Sequence, residues 1–282
     1  MDAAPRDALA VVLRRPRYEV IPLAGIVDEV VAHVPRELTV TVTASPVRGL
    51  EPTLATSEQL AGYGYRTVPH LSARLVVDEA HLKDILQRLE AASIDDVFVV
   101  AGDADEPAGA YEGALDLLAA MAETGHGPRR IGVTGYPESH AFIPDDVTIQ
   151  AMWDKRRYAS YIVSQVCFDP AVIAGWVRRV RTRGVTLPIK VGVPGVASRT
   201  KLLRISRKIG AGESARFLNR HRGWLARAVR PGGYTPDRVV AGLAAAIADP
   251  EMGIDGLHVY TFNELAQTEA WRRSRLGESD EP

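Results

Sequence analysis

The stretch from Asp96 to Gly135, DVFVVAGDADEPAGAYEGALDLLAAMAETGHGPRRIGVTG, decides how the rest of the chain is read. Asp96 to Ala101 is a short run of Val and Phe, the composition of a strand buried on both faces, and Gly102-Asp103 ends it. Tyr111 to Glu123 then places apolar residues at helical spacing, and Arg130 to Gly135 opens a second β-rich run. Strand, helix and strand in succession form one βα unit of a parallel sheet.

The alternation continues outward in both directions. Tyr18 to Leu23, Leu38 to Ala44 and Thr67 to Ala73 come before it; Tyr161 to Phe168, Pro188 to Val193 and Gly256 to Thr261 come after. Amphipathic segments such as Glu79 to Ala91, Pro170 to Arg183 and Pro236 to Ala248 lie between them. Asp169-Pro170 and Thr235-Pro236 each offer an N-cap followed by Pro at the first helical position. About eight strands, most followed by a helix, is the count of a single (β/α)8 TIM-type barrel, so an α/β fold of that kind is expected. Residues 1–17 read as an N-terminal extension, 18–276 as the barrel and 277–282 as a disordered acidic tail. Arg199 to Gly233, interrupted by Gly210, Gly212 and Gly232-Gly233, reads as an elaborated helical connection before the last strand.

Lys plus Arg (34) and Asp plus Glu (35) nearly cancel, so no global field favours nucleic acid or an anionic membrane as a partner. Arginines cluster at Arg178, Arg179, Arg181 and Arg183 and from Arg216 to Arg230, the pattern of a solvated helix face or a local anion contact. No apolar stretch approaches the roughly 18 residues of a membrane span, and the early acids argue against a leader, so a cytoplasmic location is expected. The single cysteine, Cys167, sits in an apolar run and reads as a buried, inert thiol. The histidines show no metal-ligand spacing, and neither a P-loop nor a strand-linked G-x-G-x-x-G is present, so no metal and no Rossmann-type nucleotide site is expected.

In a barrel of this kind the carboxyl ends of the strands converge on one face, where the loops build the active site. Glu19 lies inside the first strand, a costly place for a carboxylate unless it faces polar partners or a cavity. At the mouth it would be a general acid, because burial raises a carboxylate's pKa toward neutrality; paired to an arginine it would be structural. Asp103 emerges after the fourth strand, where it could hold a ring with adjacent N–H donors or cap a turn. His70 and Gln165 are polar residues in otherwise apolar strands.

Taken in order, these segments resemble the methylenetetrahydrofolate reductase family. Tyr18-Glu19-Val20-Ile21-Pro22 resembles its first-strand F-E-F-F-P, and Val40 to Thr43 its V-S-V-T. Pro69-His70-Leu71-Ser72 is similar to P-H-L-T, Gly102-Asp103 to R-G-D, and Gly135 to His140 (GYPESH) to A-Y-P-E-x-H. Gln165 with Phe168-Asp169 resembles T-Q-x-x-F-D, Val193-Pro194-Gly195 the P-G-I turn, and Leu257 to Asn263 (LHVYTFN) F-H-F-Y-T-L-N. The resemblance implies a barrel in which NADH or NADPH supplies a hydride, FAD relays it, and 5,10-methylenetetrahydrofolate becomes 5-methyltetrahydrofolate. It makes Glu19 the general acid, Asp103 and Gln165 the folate-binding pair, and Thr43, His70, Tyr136 and His140 the lining of the nicotinamide or flavin pocket.

The sequence departs from the family at Ala101, where an arginine precedes Gly-Asp, and in Ala151 to Ala159, which replaces a lysine-rich L-K-x-K-x-x-A-G-A stretch that helps hold the flavin phosphates. Trp153, Asp154 and Tyr158 there remove phosphate partners and fill space, which predicts weakened FAD binding and leaves two routes, the usual relay through FAD held by altered contacts or direct hydride transfer from nicotinamide to folate without flavin, the second favoured. A folate-dependent methyltransferase and a non-catalytic folate-binding barrel are the alternatives.

Overall fold

The computed structural model describes residues 3–138, 145–198 and 233–278. Eight parallel strands close into one barrel in chain order: β1 (Arg17–Val20), β2 (Thr39–Val42), β3 (Arg66–Ser72), β4 (Asp96–Val100), β5 (Arg130–Gly135), β6 (Tyr161–Ser164), β7 (Ile189–Pro194) and β8 (Ile254–Tyr260). β8 pairs with β1 through Arg17↔His258 and Glu19↔Tyr260, which closes the ring. The helices among the described residues are α1 (Ala3–Arg14), α2 (Ile26–His33), α3 (Glu51–Gly62), α4 (Glu79–Ala91), α5 (Ala114–Glu123), α6 (Asp145–Lys155), α7 (Pro170–Thr182), α8 (Asp237–Ala248) and α9 (Leu265–Leu276).

The expected single barrel is thus present. Its main core lies between sheet and helices, and α7 shows how sequence builds it. Ile173, Trp176, Val177 and Val180 recur at helical spacing and are all buried, while Asp169 caps the helix by accepting from the amides of Ala171 and Val172. A smaller cluster of Val68, Phe98, Tyr161 and Val163 fills the barrel's interior.

The N-terminal end of the barrel is sealed by polar side chains from the first residues of three strands. Arg17 donates to the Tyr161 hydroxyl at 2.6 Å and to Asp96 Oδ2 at 2.8 Å, and Tyr161 donates to Asp96 Oδ1 at 2.6 Å. Gly132 makes room for this floor: a Cβ there would stand 2.4 Å from the Tyr161 ring. Lys190, beside it on β7, reaches Asp255 across the register shift between β7 and β8.

Several expectations are corrected. The first strand ends at Val20, where the next amide, Ile21 N, donates to the side-chain Oδ1 of Asn263, and the sixth ends at Ser164, beyond which Gln165 N donates to Gly135 O and Cys167 N to Gly192 O. Thr235 does not cap α8; Pro236 holds the cap position and the Thr235 hydroxyl donates to Asp237. Arg181 is no solvated charge, since it donates to the carbonyls of Val185, Leu187, Met252 and Gly253 and ties the end of α7 to the approach to β8. Residues 3–14, read only as an extension, form α1, which packs on α8, α9 and β8. The connection expected at Arg199 to Gly233 lies outside the described residues up to 232, as do 279–282 of the tail; its ends, Ala197 and Tyr234, pair through two backbone hydrogen bonds.

Candidate active site

Glu19 faces the barrel interior near the carboxyl ends of the strands. Its side chain is 13% exposed, and Oε2 sits 2.9 Å from His258 Nε2 on β8 and 3.7 Å from His70 Nε2 on β3. Among the described residues no arginine pairs with it; the side chains that pair with its carboxyl there are the two histidines. Burial raises the Glu19 pKa to about 7, and the charge of His70 only partly opposes the shift. Burial pushes both histidines the other way, His70 to about 4 and His258 to about 3, the latter helped by Arg17 and Lys190 below it. Near neutral pH the site is therefore a carboxyl group poised between its two forms beside two neutral imidazoles.

β1 is held in place by the turn that follows β8. The Thr261 hydroxyl donates to Glu19 O at 2.6 Å, and Asn263 bonds both the N–H and the C=O of Ile21. Phe262 and Asn263 take left-handed conformations (φ 53 and 61), the second a residue type that tolerates them. Tyr260 donates its hydroxyl to Ser164 O, and burial with the nearby Glu19 charge keeps that phenol protonated well above its usual range.

The other expected site residues fall at the same mouth at different depths. Thr43, half-buried just past β2, donates its amide to Val20 O. Tyr136, half-buried past β5, lies near enough to Tyr260 to influence its ionisation. Asp103 and Gln165 are exposed, one beyond β4 and one directly after β6. No hydrogen bond among the described residues joins either of them to Glu19. His140 lies outside the described residues. His70, read as pocket lining, is buried edge-on to Phe98, with its Nε2 3.7 Å from Glu19 Oε2.

Gly102 explains how Asp103 reaches the surface. Its φ of +95 turns the chain outward, and a Cβ there would stand 1.8 Å from Ser72 Oγ. The loop it opens is clamped by Arg74, whose guanidinium donates to the carbonyls of Ala104, Asp105 and Glu112.

His258 and Tyr260 were missed as site residues, although they stand in the LHVYTFN segment. Their signal was the period of two on β8, with polar side chains at 258 and 260 flanking the buried Val259.

The stretch Ala151 to Ala159 does not line the mouth. Trp153 packs toward Gly184, between α7 and β7, which places it at the strands' N-terminal end and corrects the expectation that it fills cofactor space. Its two arginines are engaged there too, Arg156 over the Trp153 ring at 3.6 Å and Arg157 over Tyr158 at 4.7 Å. The arginines of the described mouth loops are Arg74, committed to its carbonyls, and Arg48, directed at Pro22 O. Cys167 is buried, and its thiol is pushed up to about 12 mainly by burial, as suits an inert side chain. Among the described residues no cluster of His, Cys, Asp and Glu could hold a metal ion, and no helix is long and apolar enough to cross a membrane.

Comparison with known proteins adds a family. The model of the family described as methylenetetrahydrofolate reductase matches residues 22–271, a span that begins just after Glu19. Methylenetetrahydrofolate reductase 2 of Saccharomyces cerevisiae (strain ATCC 204508 / S288c) is 25% identical over 134 residues, covering 44% of this chain and 22% of that protein. The chain thus spans less than a quarter of that curated relative. Among solved structures, a protein described as a lyase/mutase from Burkholderia cenocepacia J2315 is similar at 15% identity and TM-score 0.49, over 98% of this chain and 84% of that one. Dihydropteroate synthase from Thermus thermophilus is similar at 16% identity and TM-score 0.45, over 94% and 92%. Likenesses at that level carry no argument about chemistry.

Proposed function

The chain belongs to the methylenetetrahydrofolate reductase family, and from that premise we propose that it reduces 5,10-methylenetetrahydrofolate to 5-methyltetrahydrofolate at the barrel mouth, with Glu19 as general acid. The observation that carries this reading is a buried carboxyl with a pKa of about 7 at the strands' carboxyl ends, held by a neutral histidine. An acid in that range is largely protonated just below neutrality and still gives up its proton readily.

In the proposed step Glu19 gives its proton to a nitrogen of the imidazolidine ring. The bond from that nitrogen to the bridging carbon breaks with its electron pair going to the nitrogen, and an iminium forms between the carbon and the second nitrogen. A bound NADH or NADPH supplies the hydride that converts this carbon to a methyl group. Glu19, left as a carboxylate, recovers its proton from solvent, and Asp103 and Gln165 hold the pterin from the rim. We favour transfer without flavin, because Arg156 and Arg157 of the Ala151 to Ala159 stretch are stacked on the rings of Trp153 and Tyr158.

The test is an anaerobic stopped-flow absorbance scan of purified protein mixed with reduced nicotinamide and methylenetetrahydrofolate, its flavin content read beforehand. Nicotinamide oxidation that requires the folate, in protein free of flavin, is the expected result. Bleaching of a stoichiometric bound flavin would replace direct transfer with a relay, and no oxidation with either nicotinamide would overturn the reductase reading.

A further inference from the structure

We propose that His258 is a positioning residue that fixes which oxygen of Glu19 carries the acidic proton, by donating its own Nε2–H to Oε2 and leaving the proton on Oε1. The proposal rests on the reading of Glu19 as the acid and names how that acid is aimed.

The argument starts from hydrogen-bond bookkeeping around two buried rings. His258 is 1% exposed; its Nε2 lies 2.9 Å from Glu19 Oε2, and its Nδ1 has no hydrogen-bond partner. A neutral imidazole carries one N–H. A buried N–H without an acceptor is rarer and dearer than an unused lone pair, so the proton belongs on Nε2, where an acceptor waits. His70 Nε2 is also buried without a partner, and at 3.7 Å from Oε2 it is beyond hydrogen-bond range, so it neither donates to that oxygen nor takes a proton from it.

With Nε2–H directed at Oε2, that oxygen can only accept. When the carboxyl is protonated, its hydrogen must therefore sit on Oε1, for which no hydrogen bond exists among the described residues. The groups that face Glu19 do not change this outcome. His70 comes from β3, His258 and Tyr260 come from β8, and the Tyr260 hydroxyl is already directed at Ser164 O. Arg17 and Lys190, below, disfavour a second proton on His258. Tyr136 acts on Tyr260 from beyond β5. The acid is thereby aimed by a side chain that is itself almost wholly buried.

Three variants and one spectroscopic measurement test this. Long-range ¹H–¹⁵N correlation spectra of ¹⁵N-histidine protein, with the His258 signals identified by their loss in His258→Gln, should show a protonated Nε2 and a bare Nδ1. The opposite pattern overturns the proposal whatever the enzyme turns over. In the pH profile, His258→Leu should lose about ten-fold in kcat at unchanged KM and move the basic limb up by about one pH unit, the worth of one hydrogen bond to a charge. His258→Gln, which restores an N–H donor near the same place, should recover both to within about two-fold. Equal profiles for the Gln and Leu variants would also overturn it. Full turnover by Glu19→Gln would instead sink the assignment of Glu19 as the acid, while the tautomer result would stand.

Discussion

Asn263 stitches the exit of the last strand to that of the first: its Oδ1 accepts from Ile21 N at 2.8 Å and its Nδ2 donates to Ile21 O at 2.9 Å. The side chain thus acts as one more strand residue beside β1, two positions beyond Glu19. Asn263→Ala removes both bonds and puts a poorer residue at a left-handed φ of 61. We expect a loss of about 2 kcal/mol, read as a lower urea midpoint with unchanged slope, together with a several-fold drop in kcat. A stability loss without any change in kcat would show that the stitch does not position Glu19.

Glu19→Gln preserves shape and cannot donate the proton, so turnover should fall by about 10² or more, with folate affinity changed little. For the wild type the acid is active in its protonated form, so kcat should fall as pH rises through about 7, the value to which burial lifts Glu19. A flat kcat between pH 6 and about 8.5 would mean that another step, or another acid, limits the reaction.

The same groups make stability depend on pH with opposite signs. Glu19 has a folded pKa raised from 4.5 to about 7, so its contribution is fully present below pH 4.5 and is lost as pH rises through 7. His70 and His258 are depressed from 6.5 to about 4 and about 3; their contributions are present above pH 6.5 and lost as pH falls through those values. Glu19→Gln should therefore gain on the wild type at pH 8, by up to roughly 3 kcal/mol, and show no such gain at pH 4.5. Thermal melts at both pH values check this, and an equal difference at each would contradict the shift.

The barrel was legible because its strands are buried on both faces and read as unbroken apolar runs, Val97 to Val100 being the plainest. What stayed hidden depended on contacts distant in sequence. α3 is not singled out in the pattern, and it buries Thr53, Thr56 and Ser57, with the Thr53 and Ser57 hydroxyls donating to Thr43 O and Thr53 O. Glu19 could be singled out as a misplaced carboxylate, but its partner lies 239 residues away and meets it only when β8 closes on β1. Asp103 could be assigned to the mouth because it follows the fourth strand through Gly102, and Gln165 because it is a polar residue near the end of an apolar run; that both stand exposed could not be read from the pattern.

The floor of the barrel should govern stability. Asp96→Ala removes the carboxylate that holds both Arg17 and the Tyr161 hydroxyl, stranding a buried guanidinium. Breaking such a pair from one side costs about 3–5 kcal/mol. Arg17→Met combined with Asp96→Leu should recover much of that loss in urea denaturation, because it removes both charges together. A double variant as unstable as Asp96→Ala alone would locate the cost in lost packing around Tyr161.

Arg74 offers a test of the rim that leaves the acid untouched. Its guanidinium binds the carbonyls of Ala104, Asp105 and Glu112, and its backbone takes Ala101 O and Ala108 N, so it fixes both ends of the loop that carries Asp103. Arg74→Ala frees that loop without altering Glu19, His70 or His258. If Asp103 holds the pterin equally in ground and transition states, KM for the folate should rise about ten-fold while kcat stays within about two-fold. The pH at which kcat declines should not move, because the groups that set the Glu19 pKa are intact. Initial-rate measurements across pH on this variant, compared with Asp103→Ala, decide the matter: similar KM increases place Arg74 behind Asp103, whereas a kcat loss in Arg74→Ala alone would give the loop a part in the chemical step.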